Sequence, residues 1–178
     1  MTYSERKRKQ SMQKGISITF ALVFTLVFGI WGLIRGVSYW SFENGCAGYL
    51  HRAASANTIQ LAQENLDSAI KYLEDNNLTT GQVSIIMKQP KNNITYWYSN
   101  LKAAQQELQN MDTNATQLEV SNQLIKLKET LENANDSLIC PDGIEVYPNN
   151  VGLFWMSIIS ALFAIIGWCW AASAWGWS

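Results

Sequence analysis

Apolar residues are arranged in two different ways along this chain. Ile16 to Ile34 and Val151 to Ser178 are long uncharged runs near its two ends, and the polar middle places apolar side chains at three- and four-residue intervals. As a helix rising 1.5 Å per residue, either run can cross a hydrocarbon core of ~30 Å. The pattern predicts an all-α, two-pass membrane protein. Its expected parts are a basic tail over 1–15, a first transmembrane helix over 16–40, a helical extracytoplasmic domain over 41–150, a second transmembrane helix over 151–174 and a tryptophan-rich end over 175–178.

Three amphipathic helices are expected in the middle. The first runs from about Ala47 to Asn76, with Ile59, Ala62, Leu66, Ala69 and Leu73 on one stripe and Leu50 and Ala54 extending it upstream. A second covers about Asn93 to Met111 through Ile94, Trp97, Leu101, Ala104, Leu108 and Met111. The third covers about Thr116 to Leu138 through Val120, Leu124, Leu127, Leu131, Ala134 and Leu138. Heptad-like stripes of this kind pack as an antiparallel bundle. If the first helix leaves the membrane and the third returns to it, residues 77–92 must travel back along the first. Extended at ~3.3 Å per residue, they cover the ~45 Å that such a helix spans. The expectation is three helices plus a crossing segment, or four elements if part of 79–88 is helical.

Charge then sets orientation. Arg6, Lys7, Arg8, Lys9 and Lys14 precede the first span against the single acid Glu5, whereas residues 41–150 carry 13 acidic and 7 basic side chains. Lys and Arg beside a first span stay on the cytoplasmic side, so both termini are expected inside and residues 41–150 outside. A cleaved signal peptide is the competing reading of the first run. Its length argues against that, and Trp31, Arg35, Tyr39 and Trp40 do not resemble a small-residue cleavage site. The rings of Tyr39, Trp40, Trp168, Trp170, Trp175 and Trp177 fall where a headgroup belt belongs, and Arg35 is placed to snorkel to the outer surface, towards Glu43.

Small residues recur along both spans. Ser157, Ser160, Ala164, Gly167, Ala171 and Ala174 form one stripe in the second; Ala21, Thr25, Gly29, Gly32 and Gly36 form another in the first. Such stripes let helix backbones approach closely in lipid, either within one molecule or between subunits.

Catalytic chemistry finds little material. His51 is the sole histidine, which removes Cys/His zinc sites and His-dependent triads, and it reads as a surface residue. No phosphate-cradling glycine loop occurs, and no metal or cofactor is expected. Cys46 follows the first span and Cys140 precedes the second, so a disulfide between them is expected in an oxidising space; closing so long a loop contributes ~4–5 kcal/mol in the chain-entropy picture. Cys169 has a packing role. Tyr96, Trp97 and Tyr98 point about 100° apart on one helix, so the core cannot hold all three. They are the candidate partner or ligand surface, packing on residues 82–90 being the other use for them. Four glycosylation sequons begin at Asn77, Asn93, Asn114 and Asn135, in a region whose richness in Asn, Ser and Thr also generates them by chance.

The stretch Cys46-Ala-Gly-Tyr-Leu-His-Arg-Ala-Ala-Ser-Ala-Asn-Thr-Ile59, with Tyr72-Leu-Glu-Asp-Asn-Asn-Leu-Thr79 and Ile94-Thr-Tyr-Trp-Tyr98, resembles segments of two-pass cyanobacterial membrane proteins with a helical extracytoplasmic domain. The resemblance covers about a quarter of the chain. It implies a bacterial inner or thylakoid membrane and brings no activity with it. The plan is also similar to chemoreceptor sensor domains, and is expected to depart from them in lacking an output domain after Ser178. The expected role is a non-enzymatic accessory or scaffold subunit of a membrane complex; the alternative is an extracytoplasmic sensor or ligand-binding protein that signals through a separate partner. A channel ranks third, because no polar stripe crosses either span. The partners implied are the lipid bilayer and a membrane protein or second copy, with no nucleic acid.

Overall fold

A computed structural model describes residues 3–112 and 115–175. Among these residues the α-helices are α1 (Tyr3–Phe42), α2 (Gly48–Ala54), α3 (Ile59–Asp75), α4 (Ile94–Gln109), α5 (Gln117–Leu131) and α6 (Asn150–Trp175), and no extended strand is formed. The chain divides into two compact units, Met1–Gly36 with Val151–Ser178, and Val37–Asn150.

In the first unit, α1 and α6 each have the length and apolar composition to cross a membrane. They pack through small residues. Ser17, Ala21, Ser160 and Ala171 are buried, and Ser157 and Ala164 are half-buried. A Cβ on Gly167 would lie 2.9 Å from the Ala21 Cα, so only glycine permits this approach. Beside it, Trp168 Nε1 donates to Thr25 Oγ1 at 3.2 Å, and the Phe20, Phe24 and Phe163 rings cluster with centroids 4.7 to 5.9 Å apart. Gly29, Gly32 and Gly36 have open space where a Cβ would sit. The small stripe expected over Ala21–Gly36 therefore meets α6 only through its first part. Tyr39, Trp40, Trp168 and Trp170 are exposed and Arg35 is half-buried; the Trp175 side chain and all of Trp177 lie outside the described residues.

The second unit departs from the expected three-helix order at its start. Helix α1 does not end at residue 40; it continues to Phe42, through a π-helical turn at Glu43–Ala47, into α2. The chain then breaks at Ser55–Thr58, and Thr58 Oγ1 accepts from the Leu61 amide to begin α3. A helix running unbroken from Ala47 to Asn76 is thus replaced by two that fold against each other. The far end of α3 comes back beside the end of α1, where the Tyr72 hydroxyl meets Ser41 Oγ at 3.1 Å and its ring meets Phe42. Residues 77–92 consequently have no long distance to cross.

Helix α4 runs antiparallel to α3. Gln63 Nε2 donates to the Leu108 carbonyl, Gln105 Nε2 to Asp67 and the Tyr98 hydroxyl to Glu74, each at 2.6 Å, the partners advancing in opposite directions along the two helices. The expected stripes fill the shared core: Ala62, Leu66, Ala69 and Leu73 of α3, Ile94, Trp97, Leu101, Ala104 and Leu108 of α4, and Leu127 and Leu131 of α5 are buried with Leu50 and Cys46. Helix α5 begins with a Thr116–Glu119 capping box and stops seven residues short of the expected Leu138. Asn133 Oδ1 accepts from the Asn135 and Ser137 amides, a side-chain turn that outcompetes another helical turn, and Ala134 is left exposed.

Leu66 is fully buried at the centre of this core. Leu66→Ala is expected to destabilise the protein by about 2–5 kcal/mol, and Thr58→Ala, which removes the α3 cap, by about 1 kcal/mol. Urea unfolding followed by far-UV circular dichroism measures both.

Candidate functional site

Two loops meet at the end of the second unit that carries Asn150. The first links α3 to α4. Its Gly81, at φ +111°, lies so close to the Tyr147 ring that no side chain fits, and its carbonyl accepts from the Ile94 amide at 3.1 Å. Val83 is buried, its amide donating to the Asn92 carbonyl at 3.0 Å and its carbonyl accepting from Asn150 Nδ2. The second loop links α5 to α6. Its Asp142 amide donates to Asn92 Oδ1 at 3.3 Å, and the Asp142 carboxylate pairs with Lys91 at 2.6 Å. Buried Asn92 and Asn150 thus both have partners, as burial demands, whereas the Lys91–Asp142 pair is exposed.

Between the loops and α4 lies a cleft of about 700 Å³, lined by Pro90, Asn93, Tyr96, Trp97, Asn100, Leu138 and Cys140 among others. Local sequence explains its aromatic wall. Asn93 caps α4 by accepting from the Tyr96 amide at 3.1 Å, which fixes the first turn and sends the three consecutive aromatics in three directions. Trp97 enters the core, and its Nε1 donates to the Ile139 carbonyl at 2.6 Å, holding the second loop against α4. Tyr96 stands exposed on the cleft. Tyr98 turns to α3, its hydroxyl bonded to Glu74. The candidate surface expected from Tyr96, Trp97 and Tyr98 is therefore split: the first two line the cleft and the third does not.

The expected disulfide is absent. Cys46 and Cys140 are free thiols, Cys46 fully buried and Cys140 half-buried beside the same core. Burial pushes the Cys46 thiol far above its usual range, with Cys140 adding to it, and burial pushes Cys140 up to about 11, helped by Asp142, Glu145 and Glu43. Cys169 is exposed on α6.

One pair was not legible in the sequence. His51 Nδ1 meets Glu132 Oε1 at 2.6 Å, joining α2 to the end of α5, with the Glu132 side chain only 7% exposed. Nothing about a solitary histidine indicates that partner, 81 residues away. Among the described residues no three His, Cys, Asp or Glu side chains converge as metal ligands. Of the sequons, Asn93 is engaged as a helix cap, Asn77 and Asn135 are exposed, and Asn114 lies outside the described residues. No known protein family, curated protein or solved structure matches the chain.

Burial, then the hydrogen bond to Glu74 and its charge, push the Tyr98 hydroxyl up to about 12. The folded state thus holds a proton that an unfolded tyrosine releases from about pH 10, and the two thiols do the same from about pH 8.5. A raised folded pKa contributes stability that is complete below the unfolded value and is lost as pH climbs to the folded one. Stability is expected to fall above about pH 8.5, and Tyr98→Phe to flatten the part of the fall between about pH 10 and 12 while leaving the thiol part. Thermal melts across that pH range measure the slope.

Proposed function

We propose that this chain is a non-enzymatic, two-pass integral membrane protein whose residues 41–150 form an extracytoplasmic antiparallel helical bundle, and that it serves as an accessory or scaffold subunit of a larger membrane complex. The cleft beside Tyr96 and Trp97 is the docking point for a partner segment. The observation that carries this reading is an exposed tyrosine on a cleft whose walls are held rigid by the Trp97–Ile139 and Asn92–Asp142 bonds. Amphipathic aromatic side chains on a preorganised surface are favoured protein contacts. Orientation follows the basic residues in the first turns of α1, ahead of its apolar stretch, with both termini cytoplasmic and the membrane a bacterial inner or thylakoid one.

A second reading is favoured by the size of the cleft. At about 700 Å³ it falls among cavities that hold small molecules, and three asparagines, Asn93, Asn100 and Asn133, supply amide groups to orient one. On this reading the chain is an extracytoplasmic sensor or ligand-binding protein that works through a separate partner.

Purification from native membranes in a mild detergent, followed by mass spectrometry, separates the two. The accessory reading expects a partner in stoichiometric amount, and Tyr96→Ala to weaken its retention at least roughly 30-fold, the effect of losing an aromatic anchor of about 2 kcal/mol. Recovery of the wild-type chain alone or as a homo-oligomer would overturn it in favour of the ligand reading.

A further inference from the structure

The loop between α3 and α4 displays a feature that neither the core nor the cleft uses. Ile85, Ile86 and Met87 are consecutive, and Ile86 and Met87 are 79% and 72% exposed. Two bare apolar side chains beside Ile85, itself 37% exposed, cost solvation free energy in water and mark an interaction surface when they persist. They do not belong to a loose end. Gln82 Nε2 donates to the Gln89 carbonyl at 2.8 Å, the Gln89 amide donates to Ser84 Oγ at 3.2 Å, and the Val83 amide donates to the Asn92 carbonyl, so the neck is closed and the apolar residues form its tip.

The neck is bonded to the start of α6, which bounds how far the tip lies from the point where that helix would enter a bilayer. Val83 accepts a hydrogen bond from the side chain of Asn150, the first residue of α6. At 1.5 Å per residue, α6 spans about 39 Å against a hydrocarbon core of ~30 Å, so its first turn belongs to the headgroup layer when the helix crosses a bilayer. Ile86 is three residues from Val83, within about 10 Å of it. The headgroup layer of one leaflet is about 5–7 Å deep, so the tip lies within reach of the acyl boundary. Charge agrees at the tip itself: no acidic residue lies between Asp75 and Glu107 in the chain, and of the three lysines there Lys91 is paired with Asp142 and Lys102 with Glu74, which leaves Lys88 as the cation of the loop. Lys88 follows the tip directly and is exposed.

We propose that the 84–89 loop dips into the outer leaflet of the membrane that α6 crosses, inserting Ile85, Ile86 and Met87 between headgroups while Lys88 meets lipid phosphate. This rests on the membrane reading above. The loop would act as a second foot for the unit, restraining the tilt at which the cleft is presented.

Spin labels on the full-length chain in vesicles of phosphatidylcholine and phosphatidylglycerol test it. Cys140 and Cys169 are replaced by serine, buried Cys46 is kept, and Ile86→Cys, Met87→Cys, Leu162→Cys and Ser121→Cys are made one at a time. Collision with oxygen reports lipid, and collision with a water-soluble nickel complex reports solvent. The expected result is that labels at 86, 87 and 162 favour oxygen several-fold more than the label at 121. Labels at 86 and 87 that favour the nickel complex while 162 favours oxygen would overturn the loop proposal and leave the membrane reading standing. Shielding of 86 and 87 from both agents would also overturn it, because protein would then cover the tip. A label at 162 that favours the nickel complex removes the membrane reading and the loop proposal with it.

Discussion

Thr58 accepts the Leu61 amide hydrogen and starts α3 four residues after α2 has ended, so the chain reverses at Ser55–Thr58 instead of continuing along α2. This reversal returns Tyr72 to the end of α1 and leaves α4 and α5 to complete a core with α2 and α3. Because α3 has already brought the chain back, residues 77–92 need not serve as a return strand. They are available to build the Gly81–Tyr147 contact, the wall of the cleft and the apolar loop tip.

Polar bonds, together with buried Val83, Ile144 and Val146, hold that end of the unit together. Trp97 ties the α5–α6 loop to α4, Asn92 ties the two loops to each other, and Asn150 ties the first loop to the start of α6. Each such bond contributes only about 1 kcal/mol net, but losing one partner leaves the other group desolvated and unpaired, which costs about 1–3 kcal/mol. The arrangement is therefore specific more than strong. It ties the wall of the cleft and the neck of the 84–89 loop to the same two segments.

The topology brings Cys46 and Cys140 to one core without joining them. The His51–Glu132 pair ties α2 to the end of α5 through a nearly buried carboxylate and the chain's one imidazole.

The sequence by itself determined the elements whose cause is local or periodic. Two apolar runs became α1 and α6, the three- and four-residue stripes of Ala62–Leu73 and Ile94–Leu108 became buried faces, and the Thr116–Glu119 and Asn93 caps appear where their side chains can reach the backbone. The break at Ser55–Thr58 was also written there, as a cluster of capping residues, but the stripe continuing through Leu50 and Ala54 concealed it. The stop at Glu132 was hidden in the same way by Ala134 and Leu138, which keep the period while Asn133 turns the backbone. Only the tertiary structure decided which of Tyr96, Trp97 and Tyr98 would face the cleft, and which partners Glu132, Asn92 and Asn150 would find. Those outcomes depend on where distant segments lie in space, and a pairing energy between residues 50 or 80 positions apart leaves no periodic trace in the chain that carries it.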